Sequence, residues 1–503
     1  MSIPDIKCID HRVKIWLLVV SLLTIAVLVS AAWREEFGSE WRYHQREYES
    51  ILAARATDQR GRDLRDRFER NVRQTVVPEL GLTDRCISCH NGIDDPRMTD
   101  VPNPYRVHPG DILRDHPPAQ FGCTICHRGQ GHAVVFAEAK ADGYFWDYPM
   151  LPREFTQSSC GLCHTPAEVA SQGGQVLKAG ETLFHAKGCA GCHQLSGRGG
   201  NLGPALDNEG LKVAHQLPMA HVEGSHTLPQ WLVEHFGDPQ DIVAGSQMRN
   251  PGLSHDEITA LTVYMLSLQQ RDLPRSYLSP AFHASLAEQA RPTTLTGEEL
   301  YQRFCGTCHG DGRFGRYDKF YQMFFPAVRN AAFLAVADSE FVATTIRKGR
   351  PGTLMPAWGP GSGGLTADEI GRITGYLFDS YASAELESPS VPETVDLNSG
   401  DWERGAGHFR RLCIGCHGAA GSGGVAPALA NAEFQALADA PFLFRTISYG
   451  RRNTAMPAFR ATHAGGLPDA EILDLVAYVR SLGGIAGKPV AGNDTSALEE
   501  QMP

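Results

Sequence analysis

Residues 297–309 read Gly-Glu-Glu-Leu-Tyr-Gln-Arg-Phe-Cys-Gly-Thr-Cys-His. The last five, Cys305/Cys308/His309, are one of six copies of the pattern Cys-x-x-Cys-His. The others are Cys86/Cys89/His90, Cys123/Cys126/His127, Cys160/Cys163/His164, Cys189/Cys192/His193 and Cys413/Cys416/His417. Together they use twelve of the thirteen cysteines and leave only Cys8. One short helical turn at this spacing presents two sulfurs to one edge and swings the imidazole beneath them.

That arrangement is the attachment chemistry of haem c. Two thiols add across the haem vinyl groups, and the adjacent His supplies the proximal nitrogen to iron. Zinc would require the motifs to pair, and a disulfide framework gives the His no role. Six covalently bound haem c groups are therefore expected, with the twelve cysteines as attachment points and the six histidines as iron ligands.

The 503 residues carry 46 Lys+Arg against 57 Asp+Glu, a net charge of −11, with 42% hydrophobic content. That content supports packed cores, and the acidic balance argues against a nucleic-acid partner. Near the N-terminus, Ile15 to Trp33 is an uncharged run of 19 residues preceded by Lys7, Arg12 and Lys14. At about 1.5 Å per residue it nearly spans a hydrocarbon core of about 30 Å. An uncleaved anchor over 1–33 is favoured over a signal peptide cleaved near Val29-Ser30-Ala31. The flanking charges keep the N-terminus and Cys8 in the cytoplasm. The expected location is the bacterial cytoplasmic membrane, single-pass, with the haem domains on the periplasmic side. Residues 34–75 hold ten Arg and nine Asp/Glu. They read as a solvated helical stalk, assigned to 34–80.

The last three motifs sit in an internal repeat. Each follows a Gly and an aromatic one helical turn on: Gly180/Phe184, Gly297/Tyr301 and Gly405/Phe409. Each repeat closes with a helix start, at Ser254/Glu257, Thr366/Glu369 and Pro468/Glu471, the first two forming capping boxes. Seven residues after each Glu stands Tyr264, Tyr376 or Tyr478. Two turns along, that Tyr can face the Gly of the first helix, where the missing side chain admits close approach.

Each repeat resembles a class I cytochrome c domain, over 177–271, 294–382 and 401–484. The resemblance implies a second axial ligand from a Met in a loop ahead of the last helix. The matching positions are Met248, Met355 and Met456. The last two carry the family's Met-Pro, whereas Arg249 follows Met248, leaving Met219 as an alternative. Pro204, Pro326 and Pro427 match the family proline whose carbonyl orients the proximal imidazole.

The first three motifs differ. Their leading cysteines are 37 residues apart, too close for separate class I domains. The segment offers His116, His108 and His132, with His44 upstream, as distal ligands for a compact His/His-ligated module. The stretch 121–131 is similar to multihaem cytochromes that accompany bacterial respiratory complexes. The expected fold is mainly α. Its parts are the anchor at 1–33, the stalk at 34–80, a loop-rich triple-haem module at 81–172, and three tandem class I cytochrome c helical domains at 173–272, 290–384 and 398–485. A flexible tail over 486–503 completes it.

Met/His ligation raises a haem potential above that of His/His ligation. The expected function is electron transfer from a membrane-proximal cluster to higher-potential domains. The expected redox partners are a quinol-oxidising complex, a soluble cytochrome or a terminal oxidase. The alternatives are a reductase or peroxidase with one open haem, and a structural haem subunit of a larger complex. No phosphate-binding loop, nucleophile elbow or zincin motif appears, so no catalytic residue is assigned.

Overall fold

The computed structural model describes residues 11–143, 146–289, 293–381, 386, 389–461 and 466–483. Cys8, the tail over 486–503 and part of the 384–400 linker lie outside them. The chain divides into two compact units. One comprises Met1–Cys160, Val213–Trp231 and Arg271–Leu278, and the other Gly161–Lys212, Leu232–Gln270 and Ser279–Pro503.

In the first unit, helix α1 (His11–Phe37) contains the apolar run and exposes its large side chains, Leu17, Leu18, Leu22 and Leu23 among them. It is long and apolar enough to cross a membrane. Helix α2 (Glu40–Arg55) follows. The sequence reading of a solvated stalk needs correction here, because α2 buries Trp41, Gln45, Tyr48 and Leu52. Tyr48 and Leu52 join Met98, Val101 and Tyr105 in a hydrophobic cluster with Phe68 packed against it. Gln45, wholly buried, donates to the carbonyls of Asn71 at 2.7 Å and Ser88 at 3.0 Å, tying α2 to the first attachment turn. The many charges occupy the other faces of the helix, as amphipathicity requires.

The second unit is built from crossed helix pairs. In chain order its main helices are α3 (Gln175–Ala186), α4 (Leu228–Gly237, which begins in the first unit), α5 (His255–Ser267) and α6 (Gly297–Phe304). Then come α7 (Ser339–Lys348), α8 (Ala367–Phe378), α9 (Trp402–Leu412), α10 (Ala440–Tyr449) and α11 (Asp469–Ser481). Helices α3 and α5, α6 and α8, and α9 and α11 pack in pairs.

Each pair crosses at the glycine singled out from sequence. A Cβ on Gly180, Gly297 or Gly405 would overlap the carbonyl oxygen of Ala260, Arg372 or Asp474 respectively. The partner tyrosines lie where expected. Ring centroids are 5.6 Å apart for Phe184–Tyr264, 5.6 Å for Tyr301–Tyr376 and 5.1 Å for Phe409–Tyr478. Ser254 and Thr366 form their capping boxes with Glu257 and Glu369. Pro468 serves as the N-cap of α11.

The α6–α8 and α9–α11 repeats meet through a pseudo-twofold contact in which equivalent residues exchange roles. Asn330 Nδ2 donates to the Arg452 carbonyl at 2.9 Å, and Asn431 Nδ2 donates to the Pro351 carbonyl at 2.9 Å. Phe341 and Phe442 stack on each other at 4.9 Å. Arg451 lies over Phe333 at 4.8 Å and Arg350 over Phe434 at 5.7 Å.

Candidate haem centres

Each attachment motif folds around a short helical turn. Among the described residues, five close with the His N–H donating to the carbonyl of the first Cys. These are His90 to Cys86 at 2.9 Å, His127 to Cys123 at 3.0 Å, His193 to Cys189 at 3.0 Å, His309 to Cys305 at 3.0 Å and His417 to Cys413 at 2.9 Å. None of the twelve motif cysteines is in a disulfide. Among the described residues no group of three or more His, Cys, Asp or Glu converges as a metal-ion cluster, so the turns do not pair as zinc sites.

The second cysteines of the second and third motifs, Cys126 and Cys163, also accept hydrogen bonds through their backbone carbonyls. Cys126 lies inside the helical turn Thr124–His127, and its carbonyl accepts from Ser159 Oγ at 2.7 Å. Cys163 falls one residue past the 3-10 helix Arg153–Leu162, and its carbonyl accepts from Ser279 N–H at 2.9 Å. Both cysteines are half-buried. Their spacing marks them as attachment points and nothing more. The structure adds a second role, because each backbone anchors a serine from well along the chain that no local pattern points to.

In the rear repeats the proximal imidazoles are braced by the expected prolines. Nδ1 of His193 bonds the Pro204 carbonyl at 2.8 Å, His309 that of Pro326 at 3.1 Å, and His417 that of Pro427 at 2.9 Å. Donation from Nδ1 fixes the tautomer and leaves Nε2 as the lone-pair nitrogen, the form an iron ligand requires. Burial lowers the pKa of all three imidazoles, with the proline carbonyl opposing it. A Cβ on Gly203 would lie 2.6 Å from His193 Nδ1, so the loop closes tightly on that ring. In the front unit burial lowers the His90 pKa and the Pro104 backbone, a proline not singled out from sequence, opposes it. The donor set, the thiols outside any disulfide and the fixed tautomer fit haem c.

The methionine loops share one local geometry. Met248 N–H donates to Ser246 Oγ at 3.1 Å, Met355 N–H to Thr353 Oγ1 at 3.1 Å and Met456 N–H to Thr454 Oγ1 at 3.2 Å. The latter two loops also close through Arg350 N–H to the Met355 carbonyl at 2.9 Å and Arg451 N–H to the Met456 carbonyl at 3.0 Å. There the proline after Met seats on the glycine ending the preceding helix, Pro356 on Gly349 and Pro457 on Gly450. The first loop is built differently. Gln240 Nε2 donates to the Met248 carbonyl, and Arg249 reaches Asp318 in the next repeat at 2.9 Å. The missing proline thus reflects a residue recruited to an inter-repeat bridge. Met219 belongs to the segment Val213–Trp231 of the first unit, whereas His193 lies in the second.

Sequence reasoning missed His235 on α4. Its pKa is pushed down to about 4 by burial first and then by the nearby His193 and Lys212. It stands thirteen residues before Met248, as the buried Val342 and Leu443 stand before Met355 and Met456. A histidine at a position otherwise apolar was the available signal.

In the front unit His90, His127, His44 and His108 come together, the last three each lowering the His90 pKa after burial. The His108 and His127 rings stand 6.2 Å apart at 62°. His44, on α2, is held by the Tyr105 hydroxyl at 3.0 Å. His116 lies edge-on to Phe121 at 4.9 Å, and His132 is exposed. Neither figures among the groups that shift His90. The buried Asp84 clamps the second turn, accepting from Cys123 N–H at 2.5 Å, Thr124 N–H at 2.9 Å and Thr124 Oγ1 at 2.8 Å. The thiols of Cys86 and Cys123 bond each other, which lowers the first pKa and raises the second. His164 of the third motif pairs with Glu168 at 3.8 Å.

Thioether-ready turns with braced histidines define a c-type cytochrome. The family described as "Cytochrome c" matches residues 177–269, and that described as "Cytochrome C oxidase, cbb3-type, subunit III" matches 292–377 and 400–479. The chain is 24% identical over 223 residues to the cbb3-type cytochrome c oxidase subunit FixP of Azorhizobium caulinodans, covering 44% of this chain and 66% of that protein. It is 26% identical over 202 residues to the cbb3-type subunit CcoP of Cereibacter sphaeroides, covering 38% and 61%. A cytochrome c oxidase subunit 2 of Alkalihalophilus pseudofirmus matches over 125 residues at 26%, covering 24% and 34%. The chain thus spans about a third to two thirds of the length of these relatives. It carries c-type cytochrome regions related to cbb3-type oxidase subunits and an N-terminal helix of transmembrane length.

Proposed function

We propose that this protein is a membrane-anchored hexahaem electron conduit at the outer face of the cytoplasmic membrane. It accepts electrons near the bilayer from a quinol-oxidising complex and passes them towards a soluble cytochrome or a terminal oxidase. The names of its relatives favour an oxidase complex as the setting. Three class I domains, over 173–272, 290–384 and 398–485, carry the rear haems, and the module over 81–172 carries the front three.

When bound, each haem supplies a one-electron redox centre. The twelve cysteines, Cys126 and Cys163 included, hold the haem edges, and His90, His127, His164, His193, His309 and His417 hold the proximal positions. Met355 and Met456 hold the distal positions of the last two haems, with Met248 as first candidate for the fourth. Among the front-haem candidates His108 moves ahead of His116 and His132, and His44 joins it. The observation that carries the reading is the recurrence, in each of the three rear repeats, of a proline-braced imidazole and, further along the chain, a hydroxyl-braced Met loop. A closed six-coordinate site of this kind exchanges electrons without admitting substrate.

The test is a CO-difference spectrum of the reduced full-length protein, normalised to haem. Negligible CO binding at six haems per chain supports the conduit. Stoichiometric binding at one haem overturns it in favour of an enzyme with an open site.

A further inference from the structure

The fourth and fifth attachment turns touch each other. Thr307, between the cysteines of the fifth motif, donates its hydroxyl to the Gly188 carbonyl at 2.7 Å, immediately before Cys189. Gly188 has φ +67°, and a Cβ there would overlap Thr307 Oγ1. A Cβ on Gly191, between the cysteines of the fourth motif, would lie 3.3 Å from both the Phe304 carbonyl oxygen and Thr307 Cβ.

Around this contact further polar bonds join the two repeats. Arg249 reaches the buried Asp318 of the next repeat at 2.9 Å, and Arg316 holds the same carboxylate from within its own repeat at 3.1 Å. Arg198 reaches the buried Glu369 at 2.7 Å. Gln194 Nε2 donates to the Ser362 carbonyl at 2.6 Å, and Gly199 N–H to the Gly363 carbonyl at 3.1 Å. Arg316 also donates to the carbonyls of Thr307 at 3.0 Å and Cys308 at 3.3 Å, holding the turn itself. The sixth motif offers a contrast. Its position equivalent to Thr307 is Gly415, where a Cβ meets nothing within 4 Å, and the adjacent Ile414 and Cys416 are exposed.

We infer that the first two C-terminal repeats exchange electrons directly through this fixed turn-on-turn contact, with Thr307, Asp318 and Arg198 as positioning residues. The inference rests on the conduit reading. Each motif cysteine would hold a haem edge, so apposed turns would appose the two edges, and rigid apposition would keep the transfer distance constant between encounters. One electron moves, so one site is oxidised as its neighbour is reduced; no bond, proton or leaving group is involved. The inter-repeat bridge also explains why Arg249 stands where the sister loops have proline.

The experiment uses the full-length haem-loaded protein in detergent. Haem per chain is counted first, and then magnetic coupling between the oxidised haems is read from the microwave power saturation of their electron paramagnetic resonance signals. Thr307→Trp should weaken one coupled pair several-fold, and Gly415→Trp, at the open equivalent position, should leave it unchanged. Asp318→Asn with Arg198→Gln should weaken the same pair with every motif residue intact, which decides the matter if Thr307→Trp loses a haem. Wild-type coupling in the double variant, or equal loss in Gly415→Trp, overturns the inference. Fewer than six haems in the wild type instead overturns the conduit reading beneath it.

Discussion

Gly405 and Gly407 lie two residues apart on α9, and replacing each by Ala should move stability in opposite directions. Intrinsic helix propensity favours Ala at both by about 1 kcal/mol. At Gly407 a Cβ meets nothing within 4 Å, so that gain should appear undiminished. At Gly405 the Cβ would overlap the Asp474 carbonyl oxygen and lie 2.6 Å from its carbon and 2.9 Å from Tyr478 Cβ. The obstacle is the backbone of α11, which cannot rotate away as a flexible side chain would. Overpacking costs about 1–3 kcal/mol, and a backbone obstacle belongs at the upper end. About 3 less about 1 leaves a net cost of about 2 kcal/mol, or about thirtyfold in an equilibrium constant. Because the chain holds several cooperative regions, the readout must be local. Hydrogen exchange over 402–412 and 469–481 should speed up about thirtyfold in Gly405→Ala and slow about fivefold in Gly407→Ala. Equal protection of both variants would refute the argument that the glycine is there to let the helices cross.

The remaining predictions concern ligands and acid. Met248→Leu should open the fourth haem to CO while His235→Leu leaves it closed; the reverse pattern would make His235 the ligand. His108→Ala should convert one front haem from low to high spin in the ferric absorption spectrum, whereas His132→Ala should not. Burial pushes Asp474 up, but Arg404, donating at 2.8 and 3.0 Å, and the Asp401 N–H hold its pKa below the ordinary 3.8. A depressed carboxylate contributes stability above its unfolded pKa and loses it as pH falls through the folded value. Protection of α9 and α11 should therefore fall below about pH 4, and Asp474→Asn should flatten that dependence in hydrogen exchange.

What the sequence made legible was local or periodic. The attachment turns, the proline carbonyls and the Gly–Tyr crossings follow from spacing within one repeat, because each rests on residues placed by a single turn or a single helix pair. What stayed hidden depends on partners far along the chain. Arg249 reads as a broken Met-Pro until Asp318, 69 residues on, is seen beside it. His44 is a distal candidate in the sequence, but its hold by Tyr105, 61 residues away, is not legible there. Cys126 and Cys163 read as attachment points, while the serines Ser159 and Ser279 on their carbonyls are not legible in the spacing. The buried face of α2 was masked by its charge density, since Gln45 is polar yet wholly buried between two carbonyls. His235 was passed over because it follows no attachment motif and its role depends on which face of α4 meets the haem.

The account stands most directly on covalent haem. Intact-chain mass measured after denaturation and removal of loosely held groups should equal the bare polypeptide plus six haems, one for each Cys-x-x-Cys-His turn. A mass corresponding to the bare chain, or to fewer than six haems, would contradict it.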